Sequence, residues 1–374
     1  MDVRPNKLLC FISDLDGGGA QRTMVNLANS LHSLPEWQVR LVVAEKRGPG
    51  VAWLDPSFDV VDLACPRVRY AVFPLRQAIK IFQPDIIFST MLDNNIIAAL
   101  ARFLSGHRCA LVLRETNSQR ARGDLSKIRR MLAGWAYRQA DISIALSSGV
   151  AEEMLEDCRL QPDRLITLPN PVDIAHIRQR LTKPTITAKK SKMAGPHFIA
   201  AGRLTRQKGF DHLLSAFASM KQPGRLSILG DGKDRGVLEN QAKLLGIAEQ
   251  VEFAGFVDDP YSRMAAADCF VLSSRWEGFG HVIVEAMACN LPVIAMDCPH
   301  GPRDIIDHEM DGLLVPAGDI GQLTNAMDRI AADPALAERL AGNALGKAEM
   351  FRKEIVSQRY GEYLKAACSK KRGQ

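Results

Sequence analysis

Short apolar segments alternate with helical patterns along almost all of the 374 residues of the chain. In the first half, the apolar segments cover residues 8–13, 40–44, 85–89, 110–114 and 142–145, and helical patterns such as 20–33, 95–104 and 127–138 lie between them. A strand that is followed by a helix and then by another apolar strand is typical of a parallel sheet covered by helices. The alternation therefore predicts an α/β fold.

The alternation is interrupted once, in the middle of the chain. It breaks near Pro169-Asn170-Pro171, and residues 181–196 are polar, basic and proline-containing, which is typical of a linker. A second alternation then runs through apolar segments at 198–201, 226–229, 251–253, 269–273, 292–295 and 313–315. We predict two doubly wound, Rossmann-like domains that face each other across a cleft. They cover residues 1–170 and 197–352, with a linker region at 171–196.

Composition excludes several classes of protein. The chain is 47% hydrophobic and 24% charged, and no apolar run approaches the roughly 20 residues that cross a membrane. Its start lacks the pattern of a signal peptide, and its eight scattered cysteines form no CxxC motif. We therefore expect a cytoplasmic protein with reduced thiols. A net charge of +6 is too diffuse to indicate nucleic acid as a partner.

One segment of the first half is strongly basic. It contains Arg120, Arg122, Lys127, Arg129 and Arg130. Such a patch can meet an anionic membrane surface, which would add peripheral attachment to the inner face of the cytoplasmic membrane. It can equally be an ordinary solvated face, and the sequence leaves both interpretations open.

Four loops at strand ends carry unusual residues, and ligands of doubly wound sheets bind beyond the carboxyl ends of the strands. The loops lie at 14–20, 202–209, 229–233 and 274–288. In the second loop, Arg203 offers a planar fork of donors and Lys208 a point charge, a pair that suits a diphosphate. The glycines at 17–19, 230 and 232 allow the backbone to approach a ligand, although tight turns alone would explain them.

The fourth loop carries two carboxylates around a glycine-flanked turn. Glu277 precedes the turn, and Glu285 lies in the apolar helix that follows it. The start of a helix attracts phosphate, and acids beside it can hold hydroxyl groups, so the pattern indicates a sugar nucleotide. A carboxylate among apolar neighbours needs donors, which ribose hydroxyls or a structural arginine would both supply.

The same two acids could also be a hydrolase pair. If the segment were helical throughout, they would lie roughly 12 Å apart at about 1.5 Å per residue. Glycosidase carboxylates lie about 5–9.5 Å apart. Binding two parts of one ligand therefore fits Glu277 and Glu285 better than acid–base work on one bond.

With these loops in order, the chain resembles the family-four retaining glycosyltransferases, which have the GT-B architecture. The matching motifs are Gly17-Gly18-Gly19-Ala20, Gly202-Arg203-Leu204 with Lys208-Gly209, Gly230-Asp231-Gly232, Glu277-Gly278-Phe279-Gly280 through Glu285, Gly301-Pro302-Arg303-Asp304, and Asp311-Gly312-Leu313. The resemblance implies transfer of a hexose from a nucleotide-sugar donor. UDP-sugars are the usual donors in this family, so we expect a UDP-sugar here. The implied acceptor is a glycan or a polyprenyl- or other lipid-linked molecule in cell-surface polysaccharide or glycolipid assembly.

The resemblance also implies roles for single residues. Arg203, Lys208 and Glu277 would be catalytic. The two cations would contact the donor diphosphate, and the acid would contact the transferred sugar. The implied donor-binding positions are Gly17, Gly18, Phe256, Val257, Phe279, Gly280, His281 and Glu285. Glu285 would hold the ribose, and the backbone at 256–257 would receive the base. No metal and no cofactor are implied, because the nucleotide sugar is a substrate and its diphosphate meets two cations.

Two further expectations come with the resemblance. The C-terminal helix, at about 353–374, would pack back on the first domain. Many family members carry a histidine after the strand that matches 110–114, whereas this chain has none there. Glu115 and Asn117 follow that strand instead, and they are the acceptor-side candidates.

Three other functions remain as alternatives. A non-transferring enzyme of the same architecture, such as a sugar-nucleotide epimerase, would share the donor site. A binding protein with a dead site is disfavoured because Arg203, Lys208, Glu277 and Glu285 are all present. An NAD-linked dehydrogenase lacks support because no GxGxxG motif with a ribose-binding acid follows a strand.

Overall fold

The computed structural model describes residues 4–16, 18–118, 120, 123, 126–182, 195–222 and 224–372. The chain divides into two compact units, of which the first is Met1–Pro171 with Lys353–Gln374 and the second is Val172–Arg352. Within the described residues, no helix combines the length and the apolar character that crossing a membrane requires.

The first unit is built on a parallel sheet with the strand order β3-β2-β1-β4-β5-β6-β7. Its strands are β1 Asn6–Ile12, β2 Trp37–Val43, β3 Val60–Asp62, β4 Ile86–Thr90, β5 Ala110–Glu115, β6 Ile142–Ala145 and β7 Leu165–Thr167. Its helices are α1 Gly19–His32, α2 Val72–Phe82, α3 Leu92–Ser105, α4 Lys127–Gln139, α5 Ser148–Cys158 and the C-terminal helix α14, Lys353–Arg372.

Helices cover both faces of this sheet. Helices α2 to α5 share one hydrophobic core with Leu9 and Phe11 of β1, and helices α1 and α14 share the other with Leu8 and Cys10 of the same strand. Successive side chains of a strand point to opposite faces. Because both faces are buried, the strands are apolar over much of their length, as at residues 8–12 of β1.

The second unit contains a parallel sheet with the order β10-β9-β8-β11-β12-β13. Its strands are β8 His197–Ala201, β9 Arg225–Leu229, β10 Val251–Gly255, β11 Cys269–Leu272, β12 Val293–Asp297 and β13 Leu313–Pro316. Its helices are α6 Ile174–Leu181, α7 Phe210–Ala218, α8 Arg235–Leu244, α9 Pro260–Ala265, α10 His281–Ala288, α11 Pro302–Ile305, α12 Ile320–Ala332 and α13 Pro334–Ala348.

The predicted α/β fold with two parallel sheets is confirmed. The predicted strand at 142–145 matches β6 at both ends. The sequence does not predict β3 and β7, which have three residues each and lie at the two edges of the first sheet. Helix α6 lies inside the region predicted as a linker, where the Asp173 side chain caps it by accepting from the His176 amide at 3.0 Å. Residues 183–194 of that region lie outside the described residues.

Candidate active site

The loops after β8 and β11 meet at the point where the strand order of the second sheet reverses. Open α/β sheets bind ligands at such a point. The Ser273 hydroxyl donates to the Lys208 carbonyl at 3.0 Å. The Arg275 amide donates to the Gln207 carbonyl at 2.8 Å, and the Gln207 side chain donates to the Trp276 carbonyl at 3.1 Å. These bonds fix the two loops as one surface.

Lys208 and Glu277 form an ion pair on this surface. The Lys208 Nζ lies 2.5 Å from the Glu277 Oε1, and the two side chains are 19% and 8% exposed. The Ser274 hydroxyl donates to the same carboxylate oxygen at 2.6 Å. The contact orients both charges, and the remaining ammonium protons and the second carboxylate oxygen are the groups that a ligand could use. The sequence prediction treats these two residues separately, because they are 69 positions apart in the chain.

Arg203 is the second predicted cation, and it stands in the same loop as Lys208. Its side chain is exposed. Among the described residues, its guanidinium group has no hydrogen-bond or ion-pair partner, whereas its carbonyl accepts from the Thr205 amide at 2.8 Å. The guanidinium fork is therefore accessible to an anionic ligand, and its role at a diphosphate stays a prediction.

The glycines of these loops allow close packing of backbone on backbone. A Cβ on Gly209, where φ is +60°, would lie 2.1 Å from the Ser273 carbonyl oxygen. A Cβ on Gly230 would lie 2.1 Å from the Gly202 carbonyl oxygen, and one on Gly232 would lie 2.3 Å from the Leu204 carbonyl oxygen. The turn at 230–232 thus supports the loop that carries Arg203, which agrees with its interpretation as turn chemistry.

A second charge cluster joins the same two loops, and the sequence does not predict it. Arg275 donates to both carboxylate oxygens of Asp211, at 2.7 and 2.6 Å, and to the Arg206 carbonyl at 3.0 Å. The hydrogen bonds from Arg275 lower the pKa of Asp211. Burial and the charge of Arg275 lower the pKa of His212. This cluster anchors α7 to the Glu277 loop. The signal in the sequence is the arginine inside the fourth loop, two positions before Glu277.

Glu285 lies on α10 with a side chain that is 13% exposed. The Tyr261 hydroxyl donates to its Oε1 at 3.1 Å, and the His281 Nε2 lies 3.8 Å from the same oxygen. The sequence indicates that Glu285 needs a hydrogen-bond donor, and within the protein the Tyr261 hydroxyl of α9 is such a donor. Gly280 precedes α10 in the left-handed conformation, with φ at +89°. These contacts place His281 and Glu285 together at the start of the helix.

The remaining donor-binding candidates of this unit differ in exposure. Phe279 is 3% exposed, and its ring packs 5.6 Å from that of Phe351. Only its backbone could contact a ligand. Phe256, after β10, is 83% exposed, and Val257 beside it is half-buried. An exposed aromatic side chain at a strand end suits stacking on a nucleotide base.

In the first unit, the glycine loop leads into α1. Gly18 caps this helix without a side-chain bond, at φ −72°. The Asp14 carboxylate accepts from the Gln21 side chain at 3.0 Å and from the Asp16 amide at 3.1 Å, and so holds the loop. Gly17 lies outside the described residues.

Glu115 is buried at the end of β5, and the structure gives its oxygens internal partners. Its Oε2 accepts from the Tyr137 hydroxyl at 2.6 Å, and its Oε1 accepts from the amides of Thr116 and Asn117 at 2.8 and 3.3 Å. Burial, followed by the charge of Glu115, raises the pKa of Tyr137. The carboxylate therefore shapes the loop after β5, and the half-buried Asn117 is the acceptor-side candidate nearer to solvent.

Arg114 is fully buried beside Glu115, and the sequence predicts no role for it. It donates to the Thr90 hydroxyl at 2.8 Å, to the Tyr360 hydroxyl at 3.1 Å and to the Asn170 side-chain oxygen. These partners come from β4, from α14 and from the segment that ends the first unit. The sequence signal for these contacts is an arginine at the end of an apolar strand.

The basic segment of the first unit divides into paired and open cations. Arg120 forms ion pairs with Glu156 and Asp157, both at 2.7 Å, and Arg129 pairs with Asp93 at 2.7 Å. Lys127 and Arg130 are exposed and have no ion-pair partner within the described ranges. Arg122 lies outside those ranges.

All eight cysteines are buried free thiols, as the sequence predicts. Burial raises the pKa of Cys10 to about 12, so this thiol is inert. Among the residues that the structure describes, no group of three or more His, Cys, Asp or Glu side chains could hold a metal ion.

Two protein-family models match the chain. The model for glycosyl transferases group 1 matches residues 183–346, and that for glycosyltransferase family 4 matches residues 17–176. Together the two matches cover most of the sequence.

Curated proteins and solved structures agree with the models. The chain is 26% identical to the N-acetylgalactosamine-N,N'-diacetylbacillosaminyl-diphospho-undecaprenol 4-alpha-N-acetylgalactosaminyltransferase of Campylobacter jejuni, over 96% of this chain and 99% of that protein. It is 27% identical to the lipopolysaccharide core biosynthesis glycosyltransferase LpsD of Rhizobium meliloti, over 92% and 94%. The crystal structure of HepE from Anabaena in complex with UDP is similar in fold, with a TM-score of 0.82, 22% identity and coverage of 96% and 100%.

The strand orders, the joined loops of the second unit and both family models agree with the resemblance. The chain therefore belongs to the glycosyl transferases of group 1 and family 4, and it is a glycosyltransferase with the two Rossmann-like units of the GT-B class.

Proposed function

We propose that the protein transfers a hexose from a UDP-sugar, with retention of configuration, to a glycan or lipid-linked acceptor in cell-surface polysaccharide or glycolipid assembly. The observation that carries the proposal is the Lys208–Glu277 ion pair beside the open guanidinium of Arg203. A cation held by a carboxylate, with a second cation in the same loop, suits a ligand that joins a diphosphate to a polyol.

The two cations bind the donor diphosphate and stabilise it as the leaving group. As the bond between sugar C1 and the diphosphate oxygen breaks, negative charge grows on that oxygen. Lys208 is already held by Glu277 at 2.5 Å, so little reorganisation is needed when that charge develops. The acceptor oxygen bonds to C1 on the same face, and its proton passes to the released diphosphate.

Glu277 and Glu285 hold different parts of the donor. Glu277 uses its second oxygen for a hydroxyl of the transferred sugar. Glu285, held by Tyr261 at 3.1 Å, accepts from the ribose hydroxyls, and the amides of Gly280 and His281 face the sugar or phosphate. Phe256 and Val257 would receive the base, with the exposed aromatic ring of Phe256 available for stacking.

The proposed chemistry requires neither a metal nor a cofactor. Arg203 and Lys208 supply positive charge at the diphosphate, which is the role of a divalent cation in other transferases. Transfer in the presence of a chelator should therefore proceed at the uninhibited rate.

The acceptor and the location in the cell are inferred from the named relatives. The Campylobacter jejuni relative is named for a diphospho-undecaprenol substrate, and the Rhizobium meliloti relative for the lipopolysaccharide core. A lipid-linked acceptor would be used at the inner face of the cytoplasmic membrane. We therefore propose a cytoplasmic protein that attaches peripherally to that face through its basic segment.

A thermal-shift screen against UDP-, GDP- and ADP-sugars tests the donor assignment. A ligand at about 100 times its Kd stabilises the folded state by about 2.7 kcal/mol, so a UDP-sugar should raise the Tm while the other two leave it nearly unchanged. Glu285→Ala should abolish the shift. Glu249→Ala removes an exposed acid of the same unit and should keep it. A shift with GDP- or ADP-sugar alone would contradict the UDP assignment. Epimerised sugar nucleotide formed without acceptor would contradict transfer.

A further inference from the structure

The Ser274 side chain is completely buried and donates its proton to a charged acceptor. Ser274 follows the end of β11 in the Glu277 loop and is 0% exposed, and its hydroxyl donates to the Glu277 Oε1 at 2.6 Å. A serine hydroxyl has a single proton to donate. Because that proton is engaged and the side chain is out of reach of solvent, Ser274 can act in a reaction at this site only through Glu277.

Two donors share this carboxylate oxygen, and they differ in rigidity. The Lys208 Nζ lies 2.5 Å from the same Oε1 and stands at the end of a flexible carbon chain. Ser274 has a short side chain, and the backbone next to it is fixed, because the Arg275 amide donates to the Gln207 carbonyl at 2.8 Å. Ser274 therefore holds the Glu277 carboxylate in place, and the Lys208 ammonium is the more mobile of the two donors.

The proposed reaction uses the more mobile donor. As the diphosphate leaves, negative charge grows on its oxygens and attracts the Lys208 ammonium, which weakens the contact between that ammonium and Glu277. The Glu277 side chain is 8% exposed, so water replaces the weakened contact poorly. A buried carboxylate that loses its donors is destabilised. The charge-assisted bond from Ser274 stays in place during this step and offsets the loss.

We propose that Ser274 is a positioning residue for transfer, because it holds Glu277 while Lys208 follows the charge on the leaving diphosphate. The inference rests on the proposed function and adds to it a residue that does not touch the donor. Before the bond to the diphosphate breaks, Lys208 and Ser274 both hold Glu277, so donor binding depends little on the serine. Loss of the hydroxyl should therefore lower kcat and leave the KM for the donor nearly unchanged.

Steady-state kinetics of the full chain with a UDP-sugar and saturating acceptor measure this difference between kcat and KM. Ser274→Ala should lower kcat about 10- to 100-fold, the range for loss of one hydrogen bond to a charged group, and should change the donor KM less than about threefold. Ser274→Cys has nearly the same size and a weaker donor, so its kcat should be intermediate. An unchanged kcat in Ser274→Ala, or a loss confined to KM, would overturn the proposal.

A second buried serine of the same unit provides the matched control. Ser227, within β9, is 6% exposed and donates to the Glu252 Oε2 at 3.0 Å, and Arg263 pairs with that carboxylate at 2.6 Å. The His197 Nε2 also lies 2.9 Å from the Ser227 hydroxyl. Ser227→Ala should therefore lower the Tm at least as much as Ser274→Ala, but it should change kcat less than about twofold. Equal losses of kcat in the two variants would show that activity follows the stability of the unit, and the proposal would fail.

Combination with Glu277→Ala tests whether Ser274 acts through the carboxylate. In that background the hydroxyl has no carboxylate to hold, so adding Ser274→Ala should lower kcat less than about twofold further. A further loss of about 10- to 100-fold would show that the serine acts independently of Glu277 and would refute the assignment. Wild-type transfer is measured first. Its absence with every UDP-sugar would contradict the proposed function itself, whereas a wild type that transfers, with independent losses in the double variant, would contradict only the role of Ser274.

Discussion

The carboxyl edges of the two sheets both carry charged side chains, but these charges have different partners. In the second unit, Lys208 and Glu277 pair with each other, and Arg203 remains open to solvent. In the first unit, Arg114 has three neutral acceptors inside the protein, and Glu115 accepts from Tyr137 and two backbone amides. The edge of the second unit retains unused donors and acceptors for a ligand, whereas the edge of the first unit uses them to hold the fold together.

The comparison shows that burial alone does not identify a catalytic charge. Arg114 is more buried than Lys208, yet its donors are already engaged. A site residue must keep an unsatisfied group that a ligand can satisfy without breaking the fold. Changes at the edge of the second unit should therefore affect transfer, and changes at the edge of the first unit should affect stability.

The largest effect is expected at Lys208. Lys208→Met keeps most of the length of the side chain and removes its charge, so it should lower kcat/KM for transfer about a thousandfold, the upper range for loss of one group that stabilises a developing anion. Lys243→Met removes an exposed lysine of α8 and should change kcat/KM less than about twofold. Steady-state kinetics with saturating acceptor measure both.

The stability of the Lys208→Met protein decides how its result is read. Because Glu277 keeps its bond from Ser274 at 2.6 Å, the variant should remain folded, with circular dichroism like that of the wild type. Near-normal transfer by this folded variant would remove Lys208 from the catalytic site. It would also contradict the expectation that charges at the edge of the second unit act in transfer while those of the first unit act in stability.

A smaller effect, on stability rather than transfer, is expected at Arg114. Arg114→Met leaves the polar groups of Thr90, Asn170 and Tyr360 without their donor. Each unsatisfied buried group costs about 1–3 kcal/mol, and removal of the buried charge offsets part of that cost. The free energy of unfolding should fall by about 2–4 kcal/mol in urea titrations.

The control for Arg114 is Arg4, which is 67% exposed and pairs with Asp85 at 2.9 Å. Arg4→Met should lower the free energy of unfolding by less than about 1 kcal/mol, as for most surface pairs. The donor-induced thermal shift should persist in Arg114→Met, since the donor site lies in the second unit. Loss of that shift at unchanged stability would contradict the structural role.

The sequence predicts the second edge better than the first, for a physical reason. Glycine turns, strand ends and the residues Arg203, Lys208, Glu277 and Glu285 are local features, and a parallel sheet brings local features at strand ends together. The pairing of Lys208 with Glu277 depends on side-chain directions in two loops, which the strand pattern does not contain.

At the first edge, the sequence predicts the loop but not the internal contacts of its residues. Glu115 is an acceptor-side candidate because it follows a strand. The partner that takes its second oxygen, Tyr137, comes from α4, 22 residues later. The contacts of Arg114 reach Tyr360, 246 residues away. Such distant partners are fixed only when helices pack on the sheet, so a local pattern cannot indicate them.

The smallest effect is expected at Asp211, which supports the active edge without belonging to it. Asp211→Asn removes a half-exposed ion pair with Arg275, so it should cost less than about 1 kcal/mol of stability at neutral pH. The Arg275 hydrogen bonds lower the pKa of Asp211 in the folded state. The stabilisation is therefore complete above the unfolded pKa of about 3.9 and is lost as the pH falls through the lowered folded pKa.

The difference in unfolding free energy between wild type and Asp211→Asn should accordingly vanish at the acid end of a pH series of urea titrations. Asp258→Asn, at an exposed acid of the same unit, should show no such trend. Because Arg275 keeps its bond to the Arg206 carbonyl at 3.0 Å, the loop should hold its shape, and kcat/KM should fall less than about threefold. A loss comparable to that of Lys208→Met would mean that the Asp211 cluster orients the reacting groups directly. Asp211 and Arg275 would then belong to the catalytic machinery of this unit and not only to its support.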